Sequence, residues 1–166
     1  MIRTGLLMAS AALIAFGATP ADAQEKVFRY STTGDILGLD PHNNNEGPTN
    51  TMKSNLYGRL IHRKPDLSLE PDLATDWERL DETTWRFTLR EGVTFHNGNP
   101  FAANDVVYSF ERQSQDSSDM AFALASVESV TAVDDYTVEI ETAAPDPTLL
   151  LNMPNFYIVD EEYMEA

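Results

Sequence analysis

Carboxylates outnumber every other ionisable group in this sequence, with 27 Asp and Glu against 11 Lys and Arg. Two carboxylates that converge in one pocket can act as the acid and the base or nucleophile of glycoside hydrolysis. A hydrolase with a carboxylate site is therefore one hypothesis. The other is solvation, because a chain with a formal net charge of -16 carries acids over its whole surface. The aspartates in question are Asp35, Asp40, Asp72, Asp76 and Asp105.

Other catalytic and cofactor-binding patterns are missing from the sequence. No serine stands in a G-x-S-x-G motif, and the glycines form no phosphate-binding or dinucleotide-binding loop. The three histidines, His42, His62 and His96, are too far apart to share a helical turn, as many zinc ligands do. We therefore predict no catalytic residue, no metal site and no cofactor.

The N-terminal residues have the three parts of a secretory signal peptide. Arg3 supplies positive charge, residues 5–17 are an apolar run, and residues 21–23 (ADA) form a small-x-small cleavage motif. The run is shorter than the ~20 apolar residues that cross a bilayer, and no basic cluster follows it. We predict that residues 1–23 are a signal peptide that is cleaved after Ala23.

Charge and cysteine content limit the partners and the compartment. A formal net charge of -16 repels nucleic acid, so we expect no nucleic-acid partner. The absence of cysteine excludes a disulfide framework and a lipid-modified N-terminal cysteine. With the signal peptide, these features predict a soluble periplasmic protein, and we expect it to be a monomer.

Residues 83–112 combine the patterns of a strand, a turn and a helix. Residues 85–89 alternate between apolar and polar side chains, which predicts a half-buried strand with Trp85 largely buried. The Asn97-Gly98 pair is typical of a tight turn. Acceptors and apolar residues at helical spacing then predict a helix from about Ala102 to Gln113.

The rest of the chain alternates between short helices and short strands, without repeats or low-complexity tracts. The pattern predicts a mixed α/β (α+β) fold with antiparallel hairpins. The predicted elements are a strand at 27–31, a helix capped by Thr49 or Asn50 and ending at Tyr57, a strand at 60–61, a short helix at 121–125, a hairpin of 127–133 with 136–140, a helix at 149–151 and a strand at 156–159.

Several of these stretches, in this order, resemble the signature of the extracellular solute-binding proteins of family 5, the periplasmic components of peptide and nickel ABC transporters. The similarity covers essentially all of the chain after the signal peptide. The main matching stretches are PDLATDW (71–77), WRFTLREGVTFHNGNPF (85–101) and ANDVVYSFER (103–112). Shorter ones are VFRYS (27–31), GLDPH (38–42), NLYGRLI (55–61), VESVTAVDDYTVEIE (127–141) and IVDEEYMEA (158–166).

The resemblance implies the first lobe of a bilobal periplasmic-binding-protein fold, type II-like, in a truncated form. On this interpretation residues 24–48 begin lobe I, residues 49–153 form its scaffold subdomain, and residues 154–166 return to lobe I. Family members are roughly three times as long, so the resemblance implies that the second lobe is absent from this chain. It also implies a non-enzymatic protein that delivers a peptide or other small solute to ABC permease subunits in the inner membrane.

The resemblance places the ligand-facing part of this chain in the loop after the first strand. The loop residues are Thr32, Thr33, Gly34, Asp35 and Ile36. Their backbone can pair with an extended peptide as an added strand does. Asp35 either faces a ligand amine or is a turn-forming residue after Gly34. Three alternatives stay open: a nickel, opine or sugar ligand within the family, an exported hydrolase, and a stand-alone interaction module made of the scaffold subdomain.

Overall fold

Short helices and strands alternate along the chain in the computed structural model, which describes Val27, Ser31 and residues 34–166. The predicted signal peptide lies outside the described residues, as does most of the predicted strand at 27–31. The elements are α1 (Gly47–Leu56), β1 (Ile61–Arg63), β2 (Leu69–Pro71), β3 (Ala74–Arg79), β4 (Thr84–Leu89), α2 (Ala103–Gln113), β5 (Val127–Asp134), β6 (Thr137–Thr142), α3 (Leu149–Asn152) and α4 (Glu161–Glu165). The chain also forms two short 3-10 helices, Ala121–Leu124 and Met153–Asn155.

An antiparallel sheet in the order β3-β4-β6-β5 forms the centre of the described residues. The alternation along β4 sets its two faces. Phe87 is 0% exposed and Leu89 2% exposed, whereas Thr88 between them is exposed. Trp85 shares the apolar phase and packs against the core, but it is less deeply buried than Phe87 and Leu89. It lies near the start of β4, opposite Ile140 of β6.

Helix α2 covers the apolar face of this sheet. Its residues Ala103 and Val106 are buried in the core, and Phe101 just before it is also buried. The chain reaches α2 through a turn in which Gly98 has a φ of 97°, a region that glycine adopts without strain. The predicted strand, turn and helix of residues 83–112 are confirmed.

Two local predictions are wrong. Helix α1 begins earlier than predicted, because the carboxylate of Glu46 accepts a hydrogen bond from Thr49 N and caps the helix in place of Thr49 or Asn50. Residues 156–159 form no strand: Tyr157 makes a single antiparallel bridge to Arg59. An isolated apolar run predicts burial well, and these residues are buried, but a ladder also needs a partner strand in register. The hairpin of β5 with β6 and the short helix at 149–151 are confirmed.

Within the described residues, no helix combines the length and the apolar composition that crossing a membrane requires.

Candidate functional site

The candidate ligand loop, residues 32–36, is only partly described. Thr32 and Thr33 lie outside the described residues. Gly34 and Asp35 are exposed, and Ile36 is half-buried. The Oδ1 atom of Asp35 accepts a hydrogen bond from Ile36 N at 2.9 Å, a local contact that holds its carboxylate close to the backbone. This geometry is compatible with both interpretations of Asp35, a turn residue and a ligand contact.

The residues that follow this loop have no regular secondary structure, yet side chains from distant elements hold them at many points. We call residues 37–44 the anchored segment. Leu37 N donates to Thr49 Oγ1 at 3.0 Å, and the Tyr57 hydroxyl donates to Leu39 O at 2.8 Å. Both partners belong to α1 or the residue after it. The first fixed point, Leu37, directly follows the candidate ligand loop, so the anchored segment sets where that loop emerges.

Lys53 of α1 is the central donor to the anchored segment. Its side chain is 0% exposed, and its Nζ donates to the carbonyls of Pro41, Asn43 and Asn44 at 3.3, 2.8 and 3.2 Å. An ammonium group has three donors, and all three are used here. The ring of Tyr157 lies 5.9 Å from Nζ. Burial lowers the pKa of Lys53, but the carbonyl oxygens supply the hydrogen bonds that a buried cation requires.

Arg112 of α2 holds the same segment from the other side. Its two terminal nitrogens donate to the two carboxylate oxygens of Asp40 at 2.9 and 2.6 Å, a bidentate ion pair. Its Nη1 also donates to His42 Nδ1 at 2.8 Å. His42 Nε2 lies 2.9 Å from the carbonyl oxygen of Tyr157. These contacts join residues that are 70 or more positions apart in the sequence.

The two partners of His42 determine its tautomer. Arginine is always a donor, so Nδ1 must be an acceptor, and a carbonyl oxygen only accepts, so Nε2 must carry the proton. The imidazole is therefore neutral. Burial, the largest effect, and the charge of Arg112 lower the pKa of His42 to about 4, although the bond to Tyr157 O opposes them. Arg112 likewise lowers the pKa of the Asp40 carboxyl.

A second cluster joins two buried carboxylates, Asp105 and Asp160. Asp105 accepts from Ala102 N and Glu161 N, while Asp160 accepts from Tyr163 N and from two amide side chains, Asn97 and Asn99. Burial raises the pKa of Asp105. Every carboxylate oxygen of the pair has a backbone or amide donor. The arrangement caps α2 and α4 and joins them.

An open apolar groove of about 690 Å³ lies between the anchored segment and α4. Leu39 and Tyr163 at its rim are 50% and 68% exposed. The walls come from segments far apart in sequence, which is why periodicity along the chain does not predict the groove. Residues that line it are Leu39, Asp40, Leu56, Tyr57, Leu73, Val93, Phe95, Phe101, Ile158, Asp160, Tyr163 and Met164.

Sequence reasoning missed Lys53 and Arg112. Lys53 is the only Lys or Arg in α1, and Arg112 is the only one in α2. The whole chain has 11 Lys and Arg against 27 Asp and Glu. A basic residue on the inner side of an amphipathic helix is a signal for a buried partner, since lysine and arginine are almost never buried unless they are paired.

Comparison with known proteins gives one family. The family model for bacterial extracellular solute-binding proteins, family 5 Middle, matches residues 68–165. The periplasmic oligopeptide-binding protein OppA of Salmonella typhimurium is 29% identical over 88% of this chain and 31% of its own length. The structure of the Escherichia coli murein tripeptide binding protein MppA has a TM-score of 0.71 at 26% identity, over 78% of this chain and 30% of that protein.

A third relative has a different ligand. The structure of MoaA from A. tumefaciens R10 in complex with mannopinic acid has a TM-score of 0.72 at 30% identity. It covers 79% of this chain and 29% of that protein. This chain therefore spans about a third of the length of the relatives it matches, and the mixed α/β fold expected from the resemblance is confirmed. The chain belongs to the bacterial extracellular solute-binding proteins of family 5.

Proposed function

We propose that this chain is part of a periplasmic solute-binding protein of an ABC importer, with peptides as its ligands. The observation that carries the proposal is the family match over residues 68–165. The names of OppA and MppA point to peptides among the solutes of this family. The protein acts by binding and delivery, without a catalytic step and without a cofactor.

The chain corresponds to one lobe of a two-lobed protein. The proposal rests on its share of its relatives, 31% of OppA and 30% of MppA. Residues 24–48 begin the lobe, residues 49–153 are its scaffold subdomain and residues 154–166 return to it. A second lobe closes on the ligand, and the closed form meets the permease subunits in the inner membrane. The protein works as a monomer.

The ligand contacts of this lobe are the backbone and side chains of Thr32, Thr33, Gly34, Asp35 and Ile36. What supports this assignment is the exposure of Gly34 and Asp35 beside a segment that is held firmly. An exposed backbone can add a peptide as an extra strand, and the Asp35 carboxylate attracts the ligand's amine.

A second candidate ligand is an opine. It is favoured by MoaA, which is 30% identical and was determined with mannopinic acid. An opine presents carboxylates and sugar-like hydroxyls where a peptide presents an N-terminal amine. A competition between the two ligand classes separates the candidates.

Export precedes this function. We propose that the envelope form begins at Gln24, because residues 21–23 are the small-x-small motif that follows the apolar run. N-terminal sequencing of protein from the periplasmic fraction checks this. Retention of Met1 in a membrane pellet contradicts it.

Thermal shift with di- to pentapeptides tests the function. A ligand at a hundredfold excess over its Kd stabilises a protein by about 2.7 kcal/mol, so the two-lobed protein should show a clear, saturable shift. Residues 24–166 alone offer one wall of the cleft, where exposed contacts contribute about 0–1 kcal/mol, and should show none at millimolar peptide. A saturable shift in residues 24–166 contradicts the two-lobed mechanism, and no shift in the two-lobed protein contradicts the peptide function.

A pair of variants tests the loop. Asp35→Asn in the two-lobed protein should weaken peptide binding, because it removes the charge that faces the ligand amine. Asp116→Asn is the matched control, since Asp116 is also exposed and lies outside the candidate ligand loop. Equal affinities of the two variants would show that Asp35 is only a turn residue.

A further inference from the structure

The contacts of His42 join three parts of the described structure at one imidazole ring. The ring lies in the anchored segment, its Nδ1 meets Arg112 of α2, and its Nε2 meets Tyr157 O in the buried 156–159 stretch. His42 is 1% exposed. Its backbone is held as well, since Ser118 Oγ donates to His42 O at 2.8 Å.

The contact between His42 Nδ1 and Arg112 depends on the protonation state of the ring, whereas Nε2 keeps its proton for Tyr157 O in either state. A proton added to Nδ1 would face the N–H of Arg112 at 2.8 Å, so a donor would meet a donor and a cation would meet a cation. The same Arg112 nitrogen also binds Asp40, so it cannot turn away from the ring without breaking that bond. A protonated His42 therefore cannot keep its contact with Arg112 while Arg112 stays bound to Asp40.

The charged and titratable groups around His42 favour the neutral ring on balance. Arg112 from α2 and Lys53 from α1 disfavour a second proton, whereas Asp40 in the anchored segment favours it. Tyr157 is buried, and the cationic groups of Lys53 and Arg59 lie 5.9 and 5.6 Å from the centre of its ring. Asp40 is already paired with Arg112, so its charge is largely compensated at the ring.

We propose that His42 is an acid-sensitive latch that holds the anchored segment only while its imidazole is neutral. When the ring takes up a proton, it leaves its pocket, and Leu37–Asn44 detaches from α2. A role of this latch in solute release rests on the proposed function, because the loop at 32–36, which directly precedes the anchored segment, is the proposed ligand contact. The latch itself is a property of this chain and is tested without ligand.

The first measurement is NMR of residues 24–166 with labelled histidine. We expect the His42 ring to be the Nε2–H tautomer and to titrate well below the ordinary value of 6.5, at about 4. A Nδ1–H tautomer, or titration near 6.5, overturns the proposal. This measurement needs no variant. It is made on dilute protein, because the titration passes through the sequence pI of about 4.3, where a protein has little net charge and tends to aggregate.

The second measurement is hydrogen exchange of wild type against His42→Gln, read by mass spectrometry at each pH. Glutamine keeps a donor for Tyr157 O but does not titrate. The comparison at equal pH cancels the intrinsic pH dependence of exchange. In wild type, opening of Leu37–Asn44 should rise about tenfold per pH unit as the pH falls from 6.5 to about 4 and then level off. The variant should show no such rise.

The hydrogen-exchange rate of strand β4 is the internal reference that separates local opening of the anchored segment from unfolding of the whole chain. At each pH the anchored segment should exchange at a rate well above that of β4, because the latch opens while the sheet stays folded. Equal rates in the two regions would mean that only global unfolding exposes His42, and the latch would be wrong. The same acid response in wild type and in His42→Gln would overturn it as well. Neither result bears on peptide binding by the two-lobed protein.

Discussion

At the scale of single residues, Phe87 is the best test of the core. Its side chain is 0% exposed at the centre of β4, and it belongs to the same core cluster as Ala103 and Val106 of α2. Phe87→Ala should lower the free energy of unfolding by about 3–5 kcal/mol, as large aromatic truncations do. Thr88→Ala is the matched control on the exposed face and should stay within about 0.5 kcal/mol. Urea unfolding of both variants measures the difference, and similar losses would mean that the two faces are misassigned.

Trp85 shows what alternation can and cannot predict at this scale. The pattern assigned Trp85, Phe87 and Leu89 to one face, and this is confirmed. The depth of burial differs among the three, since Trp85 is half-buried. Depth depends on which residues from other elements cover a position, and that information lies far away in the sequence. Arg86 makes the same point, because it binds Glu139 of β6 at 2.7 Å instead of only facing water.

At the scale of elements, Asp105 is the joint between α2 and α4. One oxygen accepts from Ala102 N and the other from Glu161 N. Asp105→Ala leaves both donors without this partner and should cost about 1–3 kcal/mol. Asp105→Asn keeps one acceptor oxygen and should cost less. Hydrogen exchange of residues 161–165 provides the local readout: faster exchange in the alanine variant is expected, and unchanged exchange there would show that Asp105 does not hold α4.

Elements built from local patterns could be predicted, and the anchored segment could not. The strand, turn and helix of 83–112 carry their own signals of alternation, Asn-Gly and helical spacing. Residues 37–44 carry none, because their conformation is set by Lys53, Arg112 and other distant side chains. The same reason explains the failed strand at 156–159: these residues are buried, but one bridge to Arg59 is all the pairing that the fold provides.

At the scale of the whole molecule, the family resemblance predicted more than the periodicity did. Ordered stretches over the chain identified the family and hence the mixed α/β fold, and both are confirmed. The candidate ligand loop stays a prediction, since Thr32 and Thr33 lie outside the described residues. The groups that support that loop were not predictable, because each makes its contact only after the helices have packed. The family of this chain is thus recognisable from local stretches of sequence, whereas the contacts that hold the anchored segment come from residues far apart in the sequence.

His42 should also make the stability of the whole chain depend on pH. Its pKa is about 4 in the folded chain and 6.5 ordinarily, so the unfolded chain binds more protons between these values, and stability falls as the pH falls through that range. Each pKa unit is worth about 1.4 kcal/mol, which sets the loss at about 3 kcal/mol at most. Asp105, whose pKa burial raises, acts in the opposite direction as the pH falls towards 3.8, and Asp40, whose pKa is lowered, destabilises only below that value.

Urea unfolding of wild type and His42→Gln between about pH 7 and pH 4 isolates the histidine. The contributions of Asp40 and Asp105 are common to both proteins to the extent that the variant keeps their contacts, so the difference between the two curves reports the imidazole. We expect wild type to be the more stable at about pH 7, because the rigid ring meets Arg112 and Tyr157 O at once, whereas a flexible glutamine loses more side-chain entropy to do so. The gap should narrow as the pH falls, since only wild type loses stability through a titrating ring. Parallel curves over this range would show that a neutral, buried His42 contributes nothing to the acid response of the fold.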